Sequence, residues 1–257
     1  MQLTTFIPLA ALLSLQISSV LAAPVEVEPI EASSDLEKRA TGTQNDPFIL
    51  DIPCGDFVEV CEAQCIAILC FGAPQILQYG GPGSSTAQRS AAGASSSPFS
   101  GTLASIGNGK TVSIPDPAWT SPEDTTNACS TQGGIGTLIA PVLAKHNSST
   151  YPFLLLLLPQ TQNLTQPTEE GSKVSGQLST NKVAKDQYFK KNYSNAGKYC
   201  TALMGKQPAS SVCSATAPAS DQINYMYRRT SKKEGNSFIW QHVKYPTDKW
   251  AKNFPGY

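Results

Sequence analysis

The chain has 257 residues, of which 40% are hydrophobic and 15% are charged. Its 19 basic and 19 acidic side chains give a formal net charge of zero, which excludes a protein that is basic or acidic throughout. This length allows one domain with a sizeable hydrophobic core, even after the terminal segments described next are set aside.

The first segment is an apolar run from Phe6 to Leu21, followed by the small residues Ala22 and Ala23. Such a run with a small-residue exit predicts a secretory signal peptide over residues 1–22, with cleavage after Ala22. The run is too short and too interrupted for a membrane span, and a later run at 153–158 has only six residues. We therefore predict a secreted, extracellular protein with no membrane span. A buried N-terminal helix is the alternative.

Residues 23–39 carry five acidic side chains and end in Lys38-Arg39, directly before Ala40. An acidic, proline-containing stretch without hydrophobic periodicity cannot bury enough surface to fold by itself. We interpret it as a pro-segment removed at a dibasic site of the kexin type, which leaves a mature chain of residues 40–257. An accidental Lys-Arg pair is the alternative.

The hydrophobic pattern of the mature chain predicts an α+β domain. Apolar residues at three- and four-residue spacing predict a helix from Phe57 to Phe71, and alternation predicts a late strand over 238–243. Residues 80–107 are rich in Gly and Ser and are predicted to form a long flexible loop. Further strands are predicted at 48–50, 111–114, 135–143 and 151–158, and a helix at 173–204. Together these elements predict a small antiparallel sheet packed with helices in a single disulfide-bonded domain.

Seven cysteines follow the pro-segment, and in an oxidising compartment most of them should pair. Cys61 and Cys65 lie one turn apart on the predicted helix and point the same way, so they are poorly placed to bond each other. Each should bond a cysteine outside the helix, and Cys129 is expected to stay unpaired. Zinc is the competing interpretation, but no matching downstream pair of Cys or His supports it. The disulfide candidates are Cys54, Cys61, Cys65, Cys70, Cys200 and Cys213.

Three Asn-x-Ser/Thr sequons agree with export. They start at Asn147, Asn163 and Asn192. Each is a candidate glycosylation site and would lie at the surface if it carried a glycan.

Charge is unevenly distributed along the mature chain. Residues 40–171 carry 3 basic and 10 acidic side chains, whereas residues 172–257 carry 14 basic and 4 acidic ones, a net charge of +10. Aromatic residues lie among these cations, and a nucleic-acid groove needs cations for phosphates and rings for stacking. DNA or another polyanion is therefore the predicted partner. The alternative is a solvated basic face, or attraction to an anionic cell wall or membrane surface. The candidate nucleic-acid-binding residues are Lys190, Lys191, Arg228, Arg229, Lys232 and Lys233.

Two blocks of sequence resemble a known family. The first is Cys54-Gly-Asp-Phe-Val-Glu-Val-Cys61-Glu-Ala-Gln-Cys65-Ile-Ala-Ile-Leu-Cys70. The second is Glu123-Asp-Thr-Thr-Asn-Ala-Cys-Ser-Thr-Gln-Gly-Gly134, with Val142-Leu-Ala-Lys-His-Asn-Ser-Ser149 downstream. Over about residues 46–158 the chain is similar to the NucA/NucB-like deoxyribonuclease family of secreted fungal proteins. Members of that family cut phosphodiesters with a divalent metal, so the resemblance implies a nuclease that uses Mg²⁺ or Mn²⁺.

The resemblance also implies site residues. Asp124 falls on the acidic motif of the family and is the implied metal ligand, while Thr125 replaces the Glu that follows it and Glu123 is adjacent. A Glu-Asn pair downstream in the family corresponds here to His146 and Asn147. The candidate catalytic residues are therefore Glu123, Asp124, His146 and Asn147. His146 is either a general base or a surface residue beside a glycosylated Asn147.

Three functions remain open at this point. The leading one is a secreted, metal-dependent deoxyribonuclease that acts on extracellular or host nucleic acid. The second is a catalytically silent secreted binding protein or effector that keeps the nuclease-like fold. The third, a processed toxin-like factor, is supported by the pro-segment alone.

Overall fold

The computed structural model describes residues 41–95, 98–100, 103–107, 110–114, 116–147, 170–234 and 237–250. Contacts divide the chain into residues 1–39 and 40–257, and all described residues belong to the second unit. The signal peptide and pro-segment, the strand predicted at 151–158 and the sequon at Asn163 lie outside the described residues. Side chains are not described at positions 100, 103–107, 110–113, 231–234, 237 and 238.

A buried helix, α1, lies at the centre of the fold. It spans Val58–Leu69, and every residue from Val60 to Ala67 is buried. A helix that is apolar on nearly all sides is buried on all sides, which is why α1 can pack against several other elements at once. Two polar residues, Glu62 and Gln64, are buried with it. The helix predicted at 57–71 is confirmed.

The other helices surround this core and are shorter. The described residues include α2 at Ser84–Ala92, α3 at Ala144–Asn147, α4 at Glu170–Thr180 and α5 at Lys198–Met204. Of these, α5 packs directly on α1.

The sheet nearest α4 and α5 contains three strands. In chain order they are β1 at Phe48–Pro53, β2 at Ile76–Gln78 and β8 at Tyr188–Ser194. The order across the sheet is β1-β8-β2, with β8 parallel to β1 and antiparallel to β2. The parallel pair sets Leu50 opposite Lys191, so a buried apolar position lies beside a buried lysine.

A second, four-stranded sheet is antiparallel and positions the candidate site. The strands are β6 at Ser121–Asp124, β7 at Ile139–Val142, β9 at Met226–Glu234 and β10 at Ser237–Val243. Their order across the sheet is β10-β9-β7-β6. A small antiparallel sheet of β3 at Phe99–Ser100, β4 at Leu103–Gly107 and β5 at Lys110–Ser113 packs against β10. Helices packed with mainly antiparallel sheets confirm the α+β class.

Three disulfides bind this core together. They join Cys54 to Cys61, Cys65 to Cys200 and Cys70 to Cys213. Cys129 is a buried free cysteine. The six predicted disulfide cysteines, the absence of a bond between Cys61 and Cys65, and the unpaired Cys129 are all confirmed.

Two predicted elements are wrong. The flexible loop at 80–107 contains α2, which lies between Gly83 and Gly93, both at positive φ, and it also contains β3 and β4. The helix at 173–204 is instead α4, β8 and α5. Between α4 and β8 the chain turns at Lys182 and Asp186, both at positive φ. Strand β8 then alternates buried and less buried residues, a pattern that is hard to recognise in the sequence because its residues include charged ones.

Among the described residues, no helix is both long enough and apolar enough to cross a membrane.

Candidate active site

Strand β6 delivers two consecutive acidic residues to one cleft. Glu123 and Asp124 end the strand, opposite Ala140 and Ile139 of β7. The chain turns immediately afterwards, where the N–H of Asn127 donates to the carbonyl of Asp124 at 3.1 Å. Glu123 and Asp124 both line the same cleft. Both are buried, with only 5% and 4% of their surface exposed.

Among the described residues, Asp124 has one carboxyl oxygen without a partner. Its Oδ2 lies 4.0 Å from the Nε of Arg89, whereas its Oδ1 is buried and accepts no hydrogen bond. Burial raises the pKa of Asp124 to about 7, against the opposing effect of Arg89 and Lys191. A buried acceptor without a donor costs free energy, so this oxygen is suited to a ligand that enters the cleft.

Glu123 is hydrogen-bonded to the central helix α1. Its Oε1 accepts a hydrogen bond from Nε2 of Gln64 at 2.7 Å. Burial raises the pKa of Glu123 well above its ordinary value, and the nearby charges of Glu170 and Asp124 raise it further.

Glu170 is a third carboxylate of the cleft, and no motif in the sequence identifies it. It is the first residue of α4, it is 3% exposed, and its Oε1 accepts from Nζ of Lys191 at 3.0 Å. In the sequence it reads only as an acidic residue in the first turn of a helix, which is a common helix-start signal. No local pattern shows that it shares a cleft with Asp124, because this depends on the placement of α4.

The cleft has a volume of about 270 Å³. Helix α2, the turn after β6, α3 and the start of α4 form the walls. The lining residues are Ser85, Thr86, Arg89, Glu123, Asp124, Asn127, Ala128, Cys129, Asn147, Glu170, Gly171, Ser172 and Ser175. The cleft thus combines carboxylate oxygens with hydroxyl and amide groups and the guanidinium of Arg89.

Asn147 and His146, adjacent in sequence, have different surroundings. Asn147 lines the cleft, and its Nδ2 donates to Oγ of Ser121 at 3.0 Å and to the carbonyl of Pro122 at 2.7 Å. His146 does not line this cleft, and its Nδ1 contacts Oε1 of Glu59 on α1. The structure therefore brings together Asp124, Glu123 and Asn147, but not His146.

The placement of Asn147 also bears on its sequon. A glycan would be attached to the same Nδ2 atom that donates both hydrogen bonds. Glycosylation would replace one of these bonds, so the site role and the glycan role of Asn147 compete. Asn192 is exposed on β8 and donates from Nδ2 to Asp51 at 2.7 Å.

The predicted basic groove needs correction. Lys191 and Arg228 are 4% and 3% exposed, so neither presents its charge at the surface. Arg228 donates instead to Gln241 at 3.0 Å and to the carbonyl of Lys249 at 2.9 Å. Lys190 is half-buried, and Arg229 donates to the carbonyl of Ser90 at 2.9 Å. The side chains of Lys232 and Lys233 lie outside the description.

No group of three His, Cys, Asp or Glu side chains within the described ranges is arranged to hold a metal ion by itself. Any cation bound at Asp124 would need water or substrate oxygens in addition. Comparisons with protein-family models, curated proteins and solved structures found no match to this chain.

Proposed function

We propose that this is a secreted, nuclease-like protein that hydrolyses phosphodiester bonds of extracellular or host DNA in the cleft at Asp124, with a divalent cation as cofactor. The observation that carries the proposal is the buried Oδ1 of Asp124, which no donor of the described residues reaches, in a cleft with two further carboxylates. The resemblance of the two sequence blocks to the NucA/NucB-like family supports the choice of reaction.

The residues of the cleft fit Mg²⁺ or Mn²⁺. These are hard cations that prefer oxygen ligands, and Mg²⁺ is commonly bound by one or two carboxylates together with water and substrate phosphate. Asp124 would be the protein ligand through Oδ1, with Glu123 as the neighbouring carboxylate. When bound, such a cation polarises a phosphoryl oxygen and lowers the pKa of a coordinated water.

The remaining groups of the cleft bind and orient substrate in this proposal. Arg89, which is about one-third exposed, carries a guanidinium whose planar geometry suits phosphate oxygens. Asn147 is fixed by its two bonds to the β6 segment, so its side-chain carbonyl oxygen is a rigid acceptor at the cleft. Without a cation, burial favours the protonated carboxyl of Asp124.

Secretion is part of the proposal. Three disulfides suit an oxidising compartment, and the signal peptide and dibasic site predicted from sequence supply the route. DNA is the proposed partner. The net charge of +10 over residues 172–257 supports weak, salt-sensitive attraction even though Lys191 and Arg228 are buried.

A catalytically silent binding protein is the alternative, and the position of His146 favours it. In the first proposal a general base at the cleft would activate water, but His146 is held by Glu59 and does not line the cleft. A silent protein would hold nucleic acid without cutting it.

Plasmid cleavage separates the two proposals. Purified protein should degrade plasmid DNA with Mg²⁺ or Mn²⁺ and stop when EDTA is added. The change Asp124→Asn removes the charge of the unpartnered carboxylate with little change in shape and should lower the rate by at least roughly a hundredfold. Asp56→Asn, at an exposed position outside the cleft, is the matched control and should cleave at the parent rate.

Two results would contradict the nuclease. One is the absence of cleavage with every divalent metal while DNA still binds at low salt, which supports the silent binding protein. The other is cleavage that Asp124→Asn leaves unchanged, which places the reaction elsewhere.

A further inference from the structure

A chain of buried hydrogen bonds runs from β8 through α1 to the cleft. Oε1 of Gln64 accepts from Nζ of Lys191 and, at 3.0 Å, from the hydroxyl of Tyr193. Nε2 of Gln64 donates to Glu123 at 2.7 Å. Gln64 is fully buried, and Lys191 and Tyr193 are only 4% and 5% exposed. The chain therefore connects three elements at positions where water has almost no access.

The amide of Gln64 can take only one orientation in this chain. Its oxygen faces the ammonium of Lys191 and the hydroxyl of Tyr193. A flipped amide would point its NH₂ group at the ammonium of Lys191, which can only donate. It would also point its oxygen at Oε1 of Glu123, which accepts a hydrogen bond from Gln64 in the structure. Two unfavourable contacts would replace favourable ones in a buried, low-dielectric place. The Gln64 amide is thus fixed with its N–H toward Glu123.

Lys191 is itself fixed by a second partner. Its Nζ lies 3.0 Å from Oε1 of Glu170, which lines the cleft from the side of α4. One buried ammonium therefore contacts Glu170 directly and reaches Glu123 through Gln64. Strand β8 and helix α1 hold carboxylates that belong to two other elements, β6 and α4.

We propose that Gln64 is a positioning residue of the cleft, oriented by Lys191 and Tyr193, whose amide holds Oε1 of Glu123 so that the other carboxyl oxygen is presented to a cation. The inference rests on the proposed function, since it concerns the same cleft. Outer groups that orient a ligand carboxylate commonly change metal affinity or activity by about 10–100-fold when removed. Gln64 acts through Glu123 and touches neither cation nor substrate.

Binding of Mn²⁺ alone, measured by calorimetry on the purified protein, tests this role. Gln64→Met keeps the length of the side chain but loses the donor to Glu123, and it should weaken Mn²⁺ binding by about 10–100-fold. The matched control is Gln222→Met. Gln222 is also a buried glutamine, 7% exposed, but its amide donates to the carbonyl of Pro141 at 3.4 Å and it does not line the cleft. The control should bind Mn²⁺ with the parent affinity.

A second variant covers the case in which Gln64→Met does not fold. Gln64→Glu keeps an acceptor for Lys191 and Tyr193 but faces Glu123 with an oxygen instead of an N–H. The added negative charge would attract a cation, so a purely electrostatic role predicts tighter Mn²⁺ binding and an unchanged rate. A positioning role predicts plasmid cleavage at saturating Mn²⁺ that is at least about tenfold slower.

The outcomes separate the inference from the proposed function. Suppose that the parent protein binds Mn²⁺ and cleaves DNA. The positioning role is then overturned, and the proposed function stands, if folded Gln64→Met binds Mn²⁺ as tightly as Gln222→Met. The same conclusion follows if Gln64→Glu cleaves at the parent rate. If the parent protein neither binds Mn²⁺ nor cleaves, the proposed function fails and the inference fails with it.

Discussion

Three carboxyl groups are buried at the cleft, those of Glu123, Asp124 and Glu170, and Lys191 is the buried ammonium beside them. A buried charge is costly unless it is paired or neutralised by a proton. Burial is the main reason why the pKa values of Glu123 and Asp124 are raised. The cluster therefore favours the uptake of positive charge, either as protons or as a cation.

The free thiol of Cys129 lies at the same cleft and has low reactivity. Burial raises its pKa to about 12, so the reactive thiolate is scarce at neutral pH. Its Sγ donates to Oδ1 of Asn127 at 3.0 Å. An odd cysteine can persist under oxidising conditions when it is protected in this way.

His242 shows how a sequence pattern can misplace a residue. In the alternating strand predicted at 238–243, His242 shares a face with Trp240 and Lys244, which predicts an exposed polar position. In the structure the ring is half-buried and stacks on Tyr227 with centroids 5.1 Å apart. Its Nε2 lies 2.7 Å from the carbonyl of Asn224 and must carry the proton, since a carbonyl only accepts. Burial lowers the pKa of His242 below its ordinary value of 6.5, and Lys244 acts in the same direction.

This shift predicts a pH dependence of stability. The unfolded chain takes up a proton at His242 more readily than the folded chain, so the free energy of unfolding should fall as the pH drops through about 6.5. His242→Gln keeps a donor for the Asn224 carbonyl but does not titrate. Urea unfolding between pH 7.5 and 5 should show the stability advantage of the parent over the variant shrinking toward low pH. An advantage that is constant or grows toward low pH would contradict the buried neutral histidine.

Among single residues, some of those that line the cleft could be predicted from the sequence. Asp124, Glu123 and Asn147 were predicted from a motif, and the structure places all three in one cleft. Local spacing could not supply Glu170 or Lys191, because they reach the site through the packing of α4 and β8. It also could not show that His146 turns toward Glu59, since the residues are 87 positions apart.

At the scale of elements, α1 and α5 are joined by more than a disulfide. Glu62 of α1 accepts from the backbone N–H groups of Tyr199 at 3.0 Å and Cys200 at 2.9 Å, in the first turn of α5. It therefore caps α5 from another helix, next to the Cys65–Cys200 bond. Gly197 gives this carboxylate the space that it needs.

A pair of glycine substitutions tests the cap. A Cβ at Gly197 would lie 2.7 Å from the Glu62 carboxyl group, so Gly197→Ala should displace the cap and lower the free energy of unfolding by about 1–3 kcal/mol. Gly176→Ala, on the exposed face of α4 with nothing within 4 Å of the new Cβ, should raise it by up to about 1 kcal/mol. Urea unfolding of both variants measures the difference. Equal effects of the two changes would show that Glu62 contributes no cap.

Elements were predictable where one period dominates the sequence. The apolar run of α1 and the alternation of β10 identified both elements, with ends within about two residues of those observed. Residues 80–107 failed because Gly and Ser suggested a linker, although Gly83 and Gly93 are the turn residues that begin and end α2. Composition describes a segment as a whole, whereas these two glycines act at single positions.

At the scale of the whole molecule, disulfides and charges join the two halves of the mature chain. Cys65–Cys200 and Cys70–Cys213 close loops of 135 and 143 residues, which restrict the unfolded chain strongly. The basic C-terminal part supplies Lys191 to the acidic cleft. Part of the uneven charge seen in the sequence is thus used inside the fold, between Lys191 and Glu170. The signal peptide and the cleavage before Ala40 stay predictions.

The proposed nuclease depends on a divalent cation bound at the unpartnered oxygen of Asp124. A crystal of the protein soaked in Mn²⁺ tests it most directly, through the anomalous scattering of the metal. We expect an anomalous peak about 2.1 Å from Oδ1 of Asp124, with the amide of Gln64 still donating to Glu123. A cleft without such a peak at saturating Mn²⁺, with Oδ1 bonded instead to a donor from the protein, would contradict it.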